Sequence, residues 1–181
     1  MSITLLFGKA IKASIRLAEL NDMKAIERIY KENQQVERAN KQPSALGSPY
    51  YQADRDYIQR AKAGEDRYQV IVAEKEGEVV GYARALHLLD KKPNQEPPKS
   101  RHKQTTLHKL GVLPISQNDG IGSQLMEAVI DKAKALKREV IRISLPHGNP
   151  FGFYKKFNFE IVKTIPAQEN RRALDIVELT L

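Results

Sequence analysis

Near the middle of this sequence an apolar strand leads into an amphipathic helix, and two glycines stand where the helix begins. Residues Thr105–Val112 have the pattern of a strand, and Gly120 and Gly122 precede a segment of helical periodicity. The first turn of a helix has unpaired backbone N–H groups and a partial positive charge. Glycine there lets a phosphate approach the main chain without meeting a Cβ atom. The junction therefore predicts a site for a phosphorylated ligand.

Two common phosphate-binding motifs do not fit this junction. The dinucleotide fingerprint needs a third glycine where this chain has Leu125, and a P-loop needs a lysine before Ser123. The order that remains is Val-x-Pro-x-x-Gln-x-x-Gly-x-Gly, carried by Val112, Pro114, Gln117, Gly120 and Gly122. This order resembles the acetyl-CoA loop of the GCN5-related N-acetyltransferase (GNAT) superfamily, in which the glutamine position is usually arginine or glutamine.

The resemblance implies that the backbone of the strand and of the glycine turn binds acetyl-CoA. In that superfamily the strand separates from its neighbour and pairs with the pantetheine arm, while the turn binds the pyrophosphate. The implied strand contacts come from Leu110, Gly111 and Val112, and the implied pyrophosphate contacts from Gln117, Asn118, Asp119, Gly120, Ile121, Gly122 and Ser123. Asp119 departs from the family, which often has a basic residue there. We expect this acid to repel the diphosphate by on the order of 1 kcal/mol.

A second segment, residues 149–159, resembles the family's short helix that presents a tyrosine beside the coenzyme sulfur. Tyr154 is the candidate general acid, since a tyrosine of pKa about 10 is protonated at neutral pH. The alternative is that Tyr154 is one more core aromatic residue. Asn158 stands where the family has glycine, and asparagine also adopts the left-handed cap conformation. Either Asn149 or His147 contacts the pantetheine arm, or neither does.

Removal of the acceptor's proton needs a base, and His108 is the first candidate. Strand alternation predicts one shared face for Thr106, His108, Leu110 and Val112. Some amine-acetylating relatives have a histidine at this position, and an ordinary pKa near 6.5 suits the task. A surface strand histidine is an equal alternative, and His87 is a second choice for the base.

Composition restricts the remaining classes of protein. The chain has no cysteine, which excludes disulfides, thiolate metal sites and a cysteinyl acyl-enzyme. The four histidines have no ligand spacing, so we predict no metal. A net charge of +8 favours polyanionic partners such as coenzyme A over a polycationic acceptor. Without a membrane-length apolar run or a signal-peptide pattern, we expect no membrane partner and a cytoplasmic location.

The predicted order of elements is strand, two helices, three strands, helix, strand, helix and two strands, which matches the superfamily along nearly the whole chain. We predict one α/β domain over residues 1–181, with a mixed, mostly antiparallel sheet flanked by helices. The first helix is expected to end near Asn33. Loops are expected over Gln34–Pro49 and Asp90–Gln104, where the superfamily shapes its acceptor pocket.

The sequence thus predicts an acetyltransferase that moves acetyl from acetyl-CoA directly to a primary amine of a small molecule or protein. Two alternatives remain, a catalytically silent acyl-CoA sensor and a basic module associated with nucleic acid. The prolines of Asp90–Gln104 leave no helical face for a DNA groove, so we do not expect a nucleic-acid partner. The acceptor, the acyl preference and the oligomeric state, a homodimer included, stay open.

Overall fold

Seven strands form one mixed sheet in a computed structural model that describes residues 13–40, 51–88, 103–147, 151–167 and 173–181. The strands are β1 (Ser14–Leu17), β2 (Tyr68–Lys75), β3 (Glu78–His87), β4 (Gln104–Val112), β5 (Val140–Pro146), β6 (Glu160–Ile165) and β7 (Leu174–Thr180). The helices are α1 (Met23–Ala39), α2 (Tyr51–Lys62), α3 (Ile121–Ala135) and α4 (Gly152–Lys155). In the sheet order β1-β2-β3-β4-β5-β7-β6, only β4 and β5 are parallel. The predicted α/β fold and the predicted element order are confirmed.

Helix α3 packs on the sheet because its apolar residues recur at helical spacing. Ile121, Leu125, Val129 and Ala133 are each at most 1% exposed, as the periodicity predicts. A Cβ atom at Gly81 of β3 would lie 3.1 Å from side-chain atoms of both Ile121 and Leu125. The glycine therefore allows a close approach of helix and sheet, which holds the first turn of α3 in place. No described helix is long and apolar enough to span a lipid bilayer.

Helix α1 continues past Asn33 to Ala39, so the predicted loop over Gln34–Pro49 is wrong for residues 34–39. That stretch contains neither glycine nor proline and is rich in good helix formers, and the first proline is Pro43. Residues 41–50 lie outside the described part of the chain. The longer helix carries Glu37 to a position beside β4.

The predicted loop over Asp90–Gln104 ends one residue too late, because Gln104 already belongs to a strand. Strand β4 begins at Gln104, and the rest of the loop, up to residue 102, lies outside the described part. The predicted hairpin between β2 and β3 is confirmed. It turns at Glu76 and Gly77, which have φ of 53° and 82°.

Strand β4 separates from β5 partway along its length. The two strands pair only between Gln104–Thr106 and Val140–Arg142, so the remainder of β4 has no described strand on that side. Backbone groups that point to that side have no strand partner among the described residues, although the Val112 carbonyl accepts side-chain hydrogen bonds from Asn33 and Gln117. The structure thus shows the opening between these strands that the family resemblance implies.

A β-bulge in β4 interrupts the alternation of its side chains. Arg84 of β3 is opposite Lys109, and Ala85 is opposite Leu107, so His108 is the extra residue. Residues directly opposite each other share a face of the sheet. His108 and Lys109 therefore both lie on the face covered by α1 and α2.

The bulge makes the predicted common face wrong for two of its four residues. Leu110 is opposite Ala83 and Val112 is opposite Gly81, and Gly81 faces α3. Leu110 and Val112 consequently project towards α3, away from His108. The extra residue shifts the alternation of side chains between the two faces of the sheet by one position. No local sequence pattern marks such a shift.

Candidate functional site

A cavity of about 420 Å³ lies between the open edge of β4, the turn before α3, and helices α1 and α4. It brings together most of the residues predicted to bind coenzyme, namely Leu110, Gly111, Val112, Gln117, Asn118, Gly120, Gly122 and Ser123. The lining also contains Asn33, Glu37, Ser116, Phe153 and Lys156, which the sequence did not indicate. The groups at this site are thus a strand edge, a helix N-terminus, one carboxylate and one ammonium.

The two glycines of the turn are needed for different physical reasons. Gly120 has φ of 80°, and no atom lies within 4 Å of the position of a Cβ, so its backbone conformation requires glycine. A Cβ at Gly122 would lie 3.3 Å from the Phe153 ring, so any side chain there would have to displace that ring. Both glycines were expected to let a phosphate approach the backbone. In the structure only the Cβ position of Gly120 is open, whereas that of Gly122 lies against Phe153.

The backbone of the turn is suited to an anion. Among the described residues, the N–H groups of residues 118–123 donate to no main-chain carbonyl, whereas Gln124 N–H donates to the Gly120 carbonyl at 3.1 Å. The Ile121 side chain is buried in the core, so this residue offers only its N–H. Unpaired N–H groups at the start of a fifteen-residue helix favour a bound phosphate.

Along β4, the N–H and C=O groups of successive residues point alternately to β3 and to the opening between β4 and β5. Leu113 N–H donates to the Val80 carbonyl at 2.8 Å, so the peptide groups at the alternate position Gly111 also point to β3. Those of Leu110 and Val112 point to the side that β5 leaves open. Of the three predicted strand contacts, these two have the suitable backbone orientation.

Gln117 holds the turn in place with its side chain. Its Nε2 donates to the Val112 carbonyl at 3.3 Å and to Asn33 Oδ1 at 3.0 Å, and Asn33 Nδ2 donates to the same carbonyl at 2.9 Å. The backbone N–H of Gln117 donates to the Pro114 carbonyl. Since these donors are engaged within the protein, Gln117 positions the turn between α1 and β4.

Asp119 does not line the cavity, and its charge is offset. Lys75, at the end of β2, donates from Nζ to the Asp119 carboxylate at 2.8 Å, and this hydrogen bond raises the lysine pKa. The repulsion expected between Asp119 and a diphosphate is therefore reduced. The sequence offered no signal for this pair because the two residues lie 44 positions apart.

If the turn binds acetyl-CoA as the family resemblance implies, replacing Lys75 with methionine is expected to raise the KM for acetyl-CoA about three- to tenfold, because Asp119 would be uncompensated near the diphosphate. Steady-state kinetics at low and high ionic strength measure the effect, which should shrink as salt screens the charge. The double variant Lys75→Met/Asp119→Asn serves as the control and should regain the parental KM. A KM that stays constant in all three proteins would show that Asp119 is too far from the diphosphate to act.

Tyr154 packs among aromatic rings beside the cavity. Its ring is edge-on to Phe153, with centroids 5.2 Å apart, and to Phe159, with centroids 5.8 Å apart. Protein surrounds the half-buried ring and raises the pKa of the hydroxyl to about 12. Phe153, and not Tyr154, is among the lining residues. Asn158 has φ of 62°, which confirms its predicted left-handed conformation.

His108 lies on the face of the sheet that α2 covers, edge-on to Tyr57 with ring centroids 6.0 Å apart. Part of the imidazole remains exposed to solvent. The surrounding protein nevertheless lowers its pKa to about 4, and Arg84 and Lys109 contribute in the same direction. His108 is therefore neutral at pH 7 and a weaker base than an ordinary histidine.

The other histidines that the sequence raised have structural partners. His87 is 1% exposed, with Nδ1 2.8 Å from Thr105 Oγ1 and Nε2 3.0 Å from Gln69 Oε1. Burial lowers its pKa to about 4, so this second choice for the base is fixed as a neutral core residue. His147 Nδ1 lies 3.0 Å from the Asp175 carboxylate. Asn149 is outside the described residues.

The cavity-lining residues on α1 and α4 that the sequence did not indicate are spaced so that each pair lies on one side of its helix. Asn33 and Glu37 are four residues apart on α1 and so share one face of the helix. Phe153 and Lys156 are three residues apart around α4 and turn to the cavity, whereas Tyr154 turns to Phe159. The only available sequence signal was the uninterrupted run of helix formers after Asn33.

Solved structures with the same fold are N-acetyltransferases and related proteins. A ribosomal-protein-alanine N-acetyltransferase from Brucella melitensis is 25% identical over 93% of this chain and 99% of its own, with a TM-score of 0.67. The protein yncA from Salmonella typhimurium, solved with its cofactor acetyl-CoA, is 21% identical over 94% of each chain, with a TM-score of 0.69. The PaiA N-acetyltransferase from Thermoplasma acidophilum, in complex with coenzyme A, is 13% identical over 94% of this chain and 99% of its own, with a TM-score of 0.69.

The fold is thus that of solved N-acetyltransferases. The model of the acetyltransferase (GNAT) family matches residues 23–159, and the chain belongs to this family of acetyl-CoA-dependent N-acetyltransferases. The matched region contains β4, the glycine turn and α4, which are the elements around the cavity. No curated protein matches the chain by sequence.

Proposed function

We propose that this protein, as one domain, transfers acetyl from acetyl-CoA directly to a primary amine of a small molecule or protein. The observation that carries the proposal is the cavity that joins the unpaired edge of β4 to the N–H groups before α3. Acetyl-CoA supplies the acetyl group as an activated thioester. An extended substrate with a diphosphate at one end fits a groove that has an anion-binding turn at one end and a strand edge along its side.

The turn binds the diphosphate, and the strand binds the rest of the arm. The N–H groups of residues 118–123 are available to phosphate oxygens, and Lys156 adds a positive charge to the cavity wall. Leu110 directs its N–H and C=O to the gap between β4 and β5, and Val112 offers its N–H there, because the Val112 carbonyl already accepts from Asn33 and Gln117. A backbone N–H in this stretch also polarises the thioester carbonyl and stabilises the oxyanion of the tetrahedral intermediate.

Two groups move protons. As the C–N bond forms, the amine proton passes to His108 or to a water that relays it, and the neutral state of His108 allows it to accept a proton. As the C–S bond breaks, the Tyr154 hydroxyl gives its proton to the departing thiolate. The raised pKa of Tyr154 keeps the hydroxyl protonated, and its hydrogen bond stabilises the charge that develops on sulfur.

Acetyl-CoA in hundredfold excess over its Kd is expected to raise the melting temperature by about 5–10 °C, since it binds only the folded state. S-acetylpantetheine, which lacks the diphosphate, serves as the control and should give a smaller shift. Release of the free thiol upon addition of amines then tests transfer. Absence of any shift would reject the coenzyme site, whereas a shift with no thiol release across a broad amine panel would indicate a silent acyl-CoA sensor.

A further inference from the structure

One carboxylate lines the cavity beside β4, and the proposed proton transfers do not use it. Glu37 lies near the end of α1 and is half-buried, so a ligand can reach it from solvent. Among the described residues that line the cavity, it is the only acidic one. Acetyl-CoA would bring several negative charges to the same cavity, and a carboxylate there opposes its binding. A second ligand of positive charge would offset that repulsion.

The position of Glu37 along β4 is fixed by a hydrogen bond one helical turn earlier. Asn33 Nδ2 donates to the Val112 carbonyl at 2.9 Å, which ties α1 to the end of the strand. One helical turn advances about 5.4 Å, a distance that corresponds to roughly two residues of a strand. The charge of Glu37 acts on Lys109, so α1 runs away from the glycine turn. Glu37 therefore lies level with Leu110, which also lines the cavity.

Glu37 is thus at the end of the cavity away from the glycine turn. In the proposed complex the diphosphate occupies the turn and the arm follows β4, so the thioester lies near Leu110. An acceptor must bring its nitrogen to within about 3–3.5 Å of the thioester carbon before the C–N bond forms. A group on α1 that binds this nitrogen would hold it at the thioester.

Glu37 also acts on the buried ammonium of Lys109. Burial and Arg84 lower the pKa of Lys109 to about 8, and the carboxylates of Asp54 and Glu37 oppose this shift. The Lys109 side chain is buried, and of this pair only Glu37 lines the cavity. An ionised carboxylate has two oxygens with about four acceptor positions, so it can interact with one cation inside the protein and bind another from the cavity.

We propose that Glu37 binds the ammonium group of the acceptor, so that the enzyme acetylates a strongly basic aliphatic amine and not an arylamine. The inference rests on the proposed function and specifies its acceptor. An aliphatic amine has a pKa of about 10 and arrives with a positive charge, whereas an arylamine is neutral at pH 7. The bound ammonium gives one proton to water and becomes nucleophilic. A second proton passes to His108 or to the relaying water as the C–N bond forms.

Matched acceptors and one variant measure this attraction. A panel of aliphatic amines is paired with arylamines of similar size, such as cyclohexylamine with aniline. Glu37→Gln keeps the size of the side chain and removes its charge. It is expected to raise the KM for the aliphatic amines about tenfold or more, to leave the KM for the arylamines unchanged, and not to weaken acetyl-CoA binding. Equal changes in KM for both kinds of amine, or a higher Kd for acetyl-CoA, would overturn the proposal.

Two further variants separate the charge of Glu37 from its effect on stability. Glu37→Asp retains the carboxylate and should recover part of the affinity for aliphatic amines. Glu27→Gln makes the same change on the same helix, at a residue that pairs with Lys31 at 2.7 Å and does not line the cavity, and should leave every KM unchanged. The melting temperature of each variant is measured alongside, because Glu37 also interacts with Lys109. A KM that Glu37→Asp does not improve over Glu37→Gln would contradict the role of the charge.

The outcome also separates this inference from the proposed function. Acetylation that prefers arylamines, or that Glu37→Gln leaves unchanged, would retain the transferase and reject Glu37 as the ammonium site. Absence of thiol release with every amine would reject both. Acetylation of aliphatic amines with a KM that rises in Glu37→Gln supports both.

Discussion

Glutamate at both Gly120 and Gly122 is expected to weaken acetyl-CoA binding at least about a hundredfold, as measured by calorimetry. The substitutions place two carboxylates near the N–H groups that would bind the diphosphate. Their negative charges repel the diphosphate and lower the affinity for acetyl-CoA. Gly120 has positive φ, and a side chain at Gly122 would meet the Phe153 ring at 3.3 Å. The turn would therefore lose both its attraction for an anion and its backbone conformation.

The double glycine variant needs a control that adds the same charge and strains the backbone elsewhere. Gly64 and Gly77 also have positive φ, of 84° and 82°, with no atom within 4 Å of the Cβ position, and neither lines the cavity. Gly64→Glu/Gly77→Glu should lower the melting temperature and retain coenzyme affinity. If the Gly120/Gly122 variant kept the parental affinity, the assignment of the turn to the diphosphate would be wrong.

Tyr154→Phe is expected to lower kcat about a hundredfold or more and to leave the Kd for acetyl-CoA unchanged. Removal of the hydroxyl removes the proposed proton donor for the thiolate, and general acid catalysis contributes a factor of this size. Because phenylalanine keeps the ring, the contacts with Phe153 and Phe159 remain. Rapid-quench measurement of the acetyl transfer step separates chemistry from product release.

A packing control accompanies the tyrosine variant. Phe157→Leu alters a neighbouring aromatic contact, since its ring lies 5.5 Å from that of Phe153, but removes no titratable group. It should lower the melting temperature more than Tyr154→Phe and reduce kcat much less. Equal turnover of Tyr154→Phe and the parental enzyme would make Tyr154 a core aromatic residue, the alternative that the sequence also allowed.

Local patterns were sufficient to predict much of the fold and the glycine turn before α3. The helical spacing of Ile121, Leu125, Val129 and Ala133 predicted the buried face of α3, and Asn158 adopts the left-handed conformation expected of it. The glycine turn was predictable because its conformation is encoded within a few residues. Most of the residues expected around the coenzyme line one cavity for the same reason.

Other features depend on residues far apart in sequence. The bulge at His108 arises from pairing with β3, and it reverses the faces of Leu110 and Val112. The ion pair between Lys75 and Asp119 and the opposition of Arg84 and Lys109 require strands to meet, and no spacing along the chain indicates them. The end of α1 was predicted too early because its last residues have helical propensity but little apolar periodicity.

The family was recognisable from a resemblance, the Val-x-Pro-x-x-Gln-x-x-Gly-x-Gly order from Val112 to Gly122. The order of strands and helices and the turn that begins α3 could be predicted because they follow from short-range periodicity and from backbone conformations that glycine permits. The folded structure was needed to show which side chains share the cavity, which charges are offset, and which face His108 occupies. Those properties follow from strand register and burial. Register and burial are set by contacts between distant segments, and each contact changes the local dielectric environment on which the chemistry of the site depends.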